Sequence, residues 1–317
     1  MKLIIQIPCF NEAKTLPVVL AELPRTVPGF DAVEWLVIDD GSTDNTAEVA
    51  KAHGVDHVVT HTNNQGLAKG FMTGLESALK LGADVIVNTD ADNQYRGQDI
   101  PRLVEPIVER RADLVVGERP ILQIEHFSWL KKQLQRLGSW AVRVASGTDI
   151  PDAPSGFRAI SRQAAAELNV FNGYTYTLET IIQAGQRNMA IVSVPVGVND
   201  DLRPSRLVKS IPAYIKRSVF TIVRIFMIYH PFRFFASIAA VALTLGTLIG
   251  LRFVVFWLSG DGDGHIQSLI LAAILLLAGF QTLLVAFVAD QLAANRHLLQ
   301  QIRARLLRHT PPSSSDR

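Results

Sequence analysis

The run Val85-Ile86-Val87-Asn88 leads through Thr89 into Asp90-Ala91-Asp92, and Gln94 follows two residues later. Two carboxylates one residue apart at the end of an apolar run repel each other. Withdrawing either from water is costly unless something positive offsets it, and a bound cation is the simplest partner. An EF-hand is excluded as the host loop. Counted from Asp90, its sixth position is Tyr95 where Gly is needed and its twelfth is Pro101 where Glu is needed. A second acidic pair lies in VIDDGSTDNT, residues 37–46, where Asp39 and Asp40 precede a Gly41-Ser42 turn and Thr43 or Asp44 can cap the next helix. A turn accounts for the Gly, Ser and Thr, but not for two adjacent acids directly after an apolar stretch. A third polar group, Cys9 to Glu12, closes the N-terminal run LIIQIP.

These groups need elements to position them. Strands are predicted at residues 3–8, 34–39, 57–61, 84–90, 113–118 and 190–196, most of them short, β-branched and apolar on both faces, as in a covered parallel sheet. Helices are predicted between them in AKTLPVVLAEL, NTAEVAKAH, GLAKGFMTGLESALKLG and IPRLVEPIVERR. This alternation gives an α/β layered domain, in which ligands bind at the carboxyl ends of the strands. Cys9–Glu12, Asp39–Asp44 and Asp90–Gln94 all fall at such ends, so three separate segments converge on one crevice.

The remainder of the chain has a different character. It has 317 residues, a net charge of +2 and a mean hydropathy of +0.21, high for a soluble protein. Residues 234–258 and 266–289 are predominantly apolar, and Arg252 is their only charged residue. Each would span roughly 35 Å as a helix, enough to cross a bilayer core of about 30 Å. The loop between them has no Lys or Arg, whereas Lys216, Arg217, Arg224 and Arg233 precede the pair and Arg296, Arg303, Arg305 and Arg308 follow it. The positive-inside rule then puts both termini in the cytoplasm. Residues 208–232, with Lys209, Lys216, Arg217 and Arg224 at helical spacing, read as an amphipathic helix in the membrane interface; residues 126–143 have a similar basic-aromatic character. The expected organisation is a catalytic-type domain at 1–207, the interfacial helix at 208–232, a transmembrane hairpin at 233–291 and a basic, partly disordered tail at 292–317. The single cysteine excludes an intramolecular disulfide framework and fits a reducing compartment. Nothing points to nucleic acid. Ala239, Ala240, Gly246 and Gly250 on the first span would permit close packing, including homo-oligomeric contact with another copy.

IPCFNEAKTL, DDGSTDNT, NNQGLAKGFMTGL and the DAD of VNTDADNQY occur in the order and at the spacing of the family 2 glycosyltransferases with the GT-A (Rossmann-like) fold, which the chain resembles over residues 1 to about 120. Within that family it is most similar to the polyprenyl-phosphate glycosyltransferases of the dolichol-phosphate mannose synthase type. Its later pieces GERP, DAPSGFRAISR, YTYTLET and RPSRL stand where those enzymes build the acceptor side. One run departs from the pattern. DDLRPSR has Asp200 where such synthases often carry Arg, with Arg203 as the nearest substitute and Arg206 in place of a Lys.

The resemblance implies an inverting transfer of a sugar from a UDP- or GDP-sugar to an undecaprenyl or dolichyl phosphate at a membrane of cytoplasmic or ER type. Mg²⁺ or Mn²⁺ would sit on Asp90, Asp92 and Gln94. It also implies a donor-nucleotide site made by Pro8, Phe10, Glu12, Asp39, Asp40, Lys69 and Ala91, with Asp40 alternatively orienting Lys69 and Arg119. Asp92, Asp90 and Arg119 would serve catalysis. An acceptor phosphate is already ionised at neutral pH and needs no strong general base, but it does need cations. Arg119, Arg136, Arg158, Arg203 and Arg206 are the candidates. The competing readings are a nucleotide-sugar-binding membrane scaffold without catalysis and a transferase using another membrane lipid. A processive polysaccharide synthase fits poorly, because QRLGSW lacks the Gln-x-x-Arg-Trp element and two spans make a poor channel.

Overall fold

The computed structural model describes residues 1–120, 139–140, 142–170, 176–199, 220, 223–224, 226–260 and 266–309. Contacts divide the chain into two units, Met1–Val219 with Gln300–Arg317, and Phe220–Leu299.

The first unit is built on one seven-stranded mixed sheet. Its strands are β1 (Lys2–Cys9), β2 (Ala32–Asp39), β3 (His57–Thr60), β4 (Val85–Asn88), β5 (Leu114–Glu118), β6 (Arg158–Ser161) and β7 (Ile191–Pro195). The order across the sheet is β3-β2-β1-β4-β6-β5-β7. Six strands coincide with the predicted runs. The predicted strands pair in parallel, and the strand not predicted, β6, inserts antiparallel between β4 and β5. This strand is four residues long and starts with a charged side chain, so neither its length nor its polarity marks it as a central strand. Its direction matters for the site. Arg158 pairs with Asn88, so the residues leading into β6 lie beside the carboxyl end of β4, where Asp90 emerges. On the other side of β1, Cys9 is level with Asp39 at the ends of two parallel strands.

Helices α1 (Leu16–Glu22), α2 (Thr46–Ala52), α3 (Leu67–Lys80) and α4 (Ile100–Val108) match the predicted segments. Two more, α5 (Arg162–Glu167) and α6 (Thr177–Gln186), were not read from the sequence. The Ser161 hydroxyl caps α5, accepting a hydrogen bond from the Ala164 N–H at 3.2 Å. Helix α3 buries Phe71, Met72, Leu75, Ala78 and Leu79, a stripe at spacings of three and four that faces the sheet. A continuous core cluster joins Leu3, Ile5 and Ile7 of β1 to Val85 and Val87 of β4, to Val115 of β5 and to Leu16, Val19 and Leu20 of α1.

The second unit contains α7 (Pro231–Leu258) and most of α8 (Ile266–His309). Two stretches, Pro231–Leu258 and Ile266–Arg296, are long and apolar enough to cross a membrane. The positions they bury are mostly small residues, and many of their large ones are exposed. Ala239, Ala272 and Ala286 are buried, whereas Leu248, Val255, Leu277 and Val288 face outward. Gly246 packs against Leu276 and Gly279 against Leu243, so the glycines set how closely the two helices approach. Such an inside-out surface suits lipid and not water. Helix α8 also runs past its apolar stretch to His309, through the region expected to be tail. Its residues 280–309 contain neither Gly nor Pro and are rich in Leu, Ala, Gln and Arg, all good helix formers. The Arg296 guanidinium donates to the Ile228 carbonyl at 2.7 Å and lies over the Tyr229 ring. Most of the expected interfacial helix and of residues 126–143 lies outside the described residues.

Candidate functional site

Two loops meet at the ends of β1 and β2. The Asn11 N–H donates to Ser42 Oγ at 2.9 Å, while Asn11 Oδ1 accepts from the Thr43 N–H at 2.8 Å. The Glu12 N–H donates to Thr46 Oγ1 at 3.0 Å. Asn11 is in the left-handed region at φ 54°, a conformation Asn tolerates better than most residues. Glu12 is buried, and its carboxylate accepts from Thr15 Oγ1. Asp39 is buried and accepts from the Ser42 N–H at 3.0 Å. Pro8 is buried in β1, and Phe10 stands exposed at its end. The donor-site candidates Pro8, Phe10, Glu12 and Asp39 are therefore neighbours on one edge of the sheet.

Asp40, also buried, makes three hydrogen bonds of its own. Its Oδ1 accepts from His61 Nδ1 at 2.7 Å and from the Gln65 N–H at 2.9 Å, and its Oδ2 accepts from the Gly66 N–H at 2.8 Å. Both oxygens thus hold the loop that enters α3, and neither orients Lys69 or Arg119 directly. Lys69 is exposed on the first turn of α3. Sequence reasoning missed His61, which also meets Thr73 Oγ1 at 3.0 Å through Nε2. No spacing rule ties His61 to Asp40; only the parallel pairing of β2 with β3 does so.

The Asp90–Gln94 loop alternates. Thr89, Ala91, Asn93 and Tyr95 are buried, whereas Asp90, Asp92 and Gln94 are partly exposed. The two acids and the amide therefore all keep some contact with solvent. Asp92 Oδ1 accepts from the Gln94 N–H at 3.2 Å, and Asn93 between them is at φ 61°. Gln94 Oε1 accepts from Arg119 Nη1 at 3.4 Å. The rest of the Arg119 guanidinium forks onto Asp152, with Nε to Oδ2 at 2.7 Å and Nη2 to Oδ1 at 3.0 Å. Such bidentate pairing fixes the plane of the guanidinium as well as its position. Burial opposes the Arg119 charge, but Tyr95, Asp152 and Asp90 outweigh it and raise its pKa, so it stays cationic. The fold thus brings Asp90, Asp92, Gln94 and Arg119 together from two strand ends. Asp152 anchors Arg119 through a contact 33 residues away in sequence, which no local motif marks.

Arg158 is corrected. Expected to hold the acceptor phosphate, it has no exposed surface at the start of β6. Its guanidinium donates to the carbonyls of Ser155 at 2.9 Å and Ala153 at 2.8 Å, and to Thr180 Oγ1. Burial lowers its pKa to about 10, against opposing effects of Tyr176, Tyr95, Asp152 and Asp90. This cation holds the 153–155 turn from inside and presents nothing to a ligand. Arg136, Arg203 and Arg206 lie outside the described residues.

Among the described residues no three His, Cys, Asp or Glu side chains form a metal-holding group. Asp90, Asp92 and Gln94 supply hard oxygens of the kind Mg²⁺ and Mn²⁺ prefer, but too few for a full shell. The set fits an ion whose remaining oxygens come from a bound ligand.

The acidic loop and the anchored arginine thus stand together at the carboxyl edge of the sheet. Residues 4–168 match the glycosyl transferase family 2 domain, and the chain belongs to that family. It is 31% identical over 206 residues to an undecaprenyl-phosphate mannosyltransferase of Micrococcus luteus, covering 62% of this chain and 83% of the relative. It is 27% identical over 201 residues to a polyprenol monophosphomannose synthase of Mycolicibacterium smegmatis, covering 60% and 74%. In fold it is similar to a glucosyl-3-phosphoglycerate synthase of Mycobacterium tuberculosis solved with Mn²⁺ and UDP. That likeness has a TM-score of 0.56 and 22% identity, covering 71% of this chain and 78% of the other.

Proposed function

We propose that this glycosyltransferase moves a sugar from a nucleotide diphosphate donor to a polyprenyl phosphate, with inversion at the transferred carbon. The supporting observation is the linked chain Asp92–Gln94–Arg119–Asp152 at the carboxyl edge of the sheet, in a protein that also carries two helices able to cross a membrane. Both relatives named above act, by name, on polyprenyl phosphates.

In this reading Asp39, Glu12 and the Pro8–Phe10 edge bind the nucleoside. Asp92 and Asp90, with Gln94 nearby, would hold Mg²⁺ or Mn²⁺, and such an ion would supply positive charge to offset that of a leaving diphosphate. Arg119, kept charged and aimed by Asp152, stabilises negative charge beside Gln94. Electrostatic groups fixed in advance in this way cost no reorganisation at the moment of transfer. Arg136, Arg203 and Arg206 are the remaining candidates for the acceptor phosphate. The phosphate oxygen attacks already ionised, so no side chain has to remove a proton. The two spans keep the prenyl tail in the bilayer, with both termini and the transferase unit on the cytoplasmic face.

The test is turnover of the detergent-solubilised protein on undecaprenyl and dolichyl phosphate with a panel of UDP- and GDP-sugars, with Mg²⁺, with Mn²⁺ and with EDTA. Transfer to lipid phosphate that EDTA abolishes is the expected result. Nucleotide binding without transfer from any donor would overturn the reading in favour of a binding scaffold. Transfer only to an uncharged lipid would overturn the acceptor assignment.

A further inference from the structure

We propose that Tyr176 is a positioning residue for Asp90: its buried hydroxyl fixes the Gly156 backbone, and Gly156 sets where the Asp90 carboxylate stands. The inference deepens the proposed function and rests on its assignment of Asp90 to the ion site.

Three polar side chains below the acidic loop make hydrogen bonds to a single residue. The Gly156 N–H donates to Tyr95 Oη at 2.8 Å. The Gly156 carbonyl accepts from Asn88 Nδ2 at 2.9 Å and from the Tyr176 hydroxyl at 3.3 Å. Asn88 Nδ2 also donates to Tyr176 Oη at 2.8 Å, and Asn88 Oδ1 accepts from Gln6 Nε2 at 2.8 Å. Gln6, Asn88 and Tyr176 have at most 1% of their surface exposed. The Tyr176 ring is itself immobilised, stacked on Phe71 with centroids 3.9 Å apart. A polar network closed off from water in this way holds its members in one arrangement, since any broken link leaves a buried group unsatisfied.

Gly156 connects this network to the ion site. A Cβ placed on it would lie 2.8 and 3.1 Å from the two oxygens of Asp90 and 2.9 Å from Tyr176 Oη. The Asp90 carboxylate and the Tyr176 phenol therefore both occupy the space that a side chain at position 156 would need. This glycine is needed for close approach, not for an unusual φ.

Removing only the hydroxyl, as Tyr176→Phe, keeps the ring stack but leaves the Gly156 carbonyl with one donor. Groups that orient metal ligands from behind typically contribute about 10-fold or more in metal affinity. The experiment titrates Mn²⁺ by electron paramagnetic resonance into the full-length protein in detergent, with GDP and with UDP, for wild type, Y176F, D90A and the D90A/Y176F double variant. Apparent KM for polyprenyl phosphate and the thermal midpoint are measured alongside. The expected result is Mn²⁺ binding about 10-fold weaker in Y176F. The lipid-phosphate KM should stay close to wild type, the thermal midpoint should fall because Asn88 and Gly156 each lose a buried partner, and Y176F should have no further effect on Mn²⁺ affinity once Asp90 is gone. A merely structural tyrosine would lower the midpoint and leave Mn²⁺ affinity unchanged. Unchanged Mn²⁺ affinity in Y176F, or additive losses in the double variant, would overturn the inference while leaving the ion site at Asp90 intact. Wild type and D90A binding Mn²⁺ equally would overturn both.

Discussion

Asp92 and Arg119 show how far residue type alone can be read. Both were singled out by sequence, and the structure adds that they meet through Gln94. Asp92→Ala should lower turnover by about 100-fold or more, because the diphosphate would lose several kcal/mol of charge stabilisation. The thermal midpoint should stay near wild type, since Asp92 is partly exposed. Near-normal turnover would remove Asp92 from the site. Arg158 shows the opposite. An arginine in a motif on the acceptor side looks like a phosphate ligand until its burial is known. Asp40 differs again, because its neighbour Asp39 shares its type and exposure while its oxygens are committed to the loop before α3.

The elements that position these residues were legible where hydrophobic pattern reports burial on both faces. Strands β1, β2 and β4 are such runs, and their register places Cys9, Asp39 and Asn88 at one edge. Strand β6 was not legible, because an antiparallel insertion is specified by long-range pairing and not by its own four residues. Two predictions belong at this scale. Gly41 is at φ 69°, and a Cβ there would lie 2.4 Å from the Asn63 carbonyl carbon. Gly41→Ala should therefore cost at least about 2 kcal/mol of stability in a denaturant titration, from left-handed strain and displaced backbone. A change near zero would mean that the 61–66 loop moves freely. The second prediction concerns alkaline pH. Burial raises the Tyr95 pKa to about 12, against an ordinary value of 10. Between those values the unfolded chain loses a proton that the folded chain keeps, so stability falls as pH rises through that window. Full deprotonation removes roughly 2–3 kcal/mol. Stability measured from pH 9 to 12 should decline less steeply in Tyr95→Phe; an identical slope would show that the phenol is not the group responsible.

At the scale of the whole molecule, charge placement and apolar length argue for a membrane hairpin that returns the chain to its starting side. The single cysteine, Cys9, is buried. Ser259→Cys at the end of α7 therefore introduces one accessible thiol. In intact cells it should react with a membrane-impermeant maleimide added from outside, and labelling only after lysis would reverse the orientation. The sequence by itself determined six strands of the sheet, the first four helices around it, the acidic loops at its edge and the two stretches long and apolar enough to cross a membrane. Each is written in local periodicity, in runs of a stated length, or in a motif of adjacent residues. Tertiary structure alone decided that Arg158 is interior, that Asp152 aims Arg119, that Asp40 ties down the entry to α3 and that Tyr176 and Asn88 grip Gly156 under Asp90. Those assignments join residues separated by up to 88 positions along the chain. No local pattern encodes such a pairing; it exists only once strand order and register have brought the two ends together.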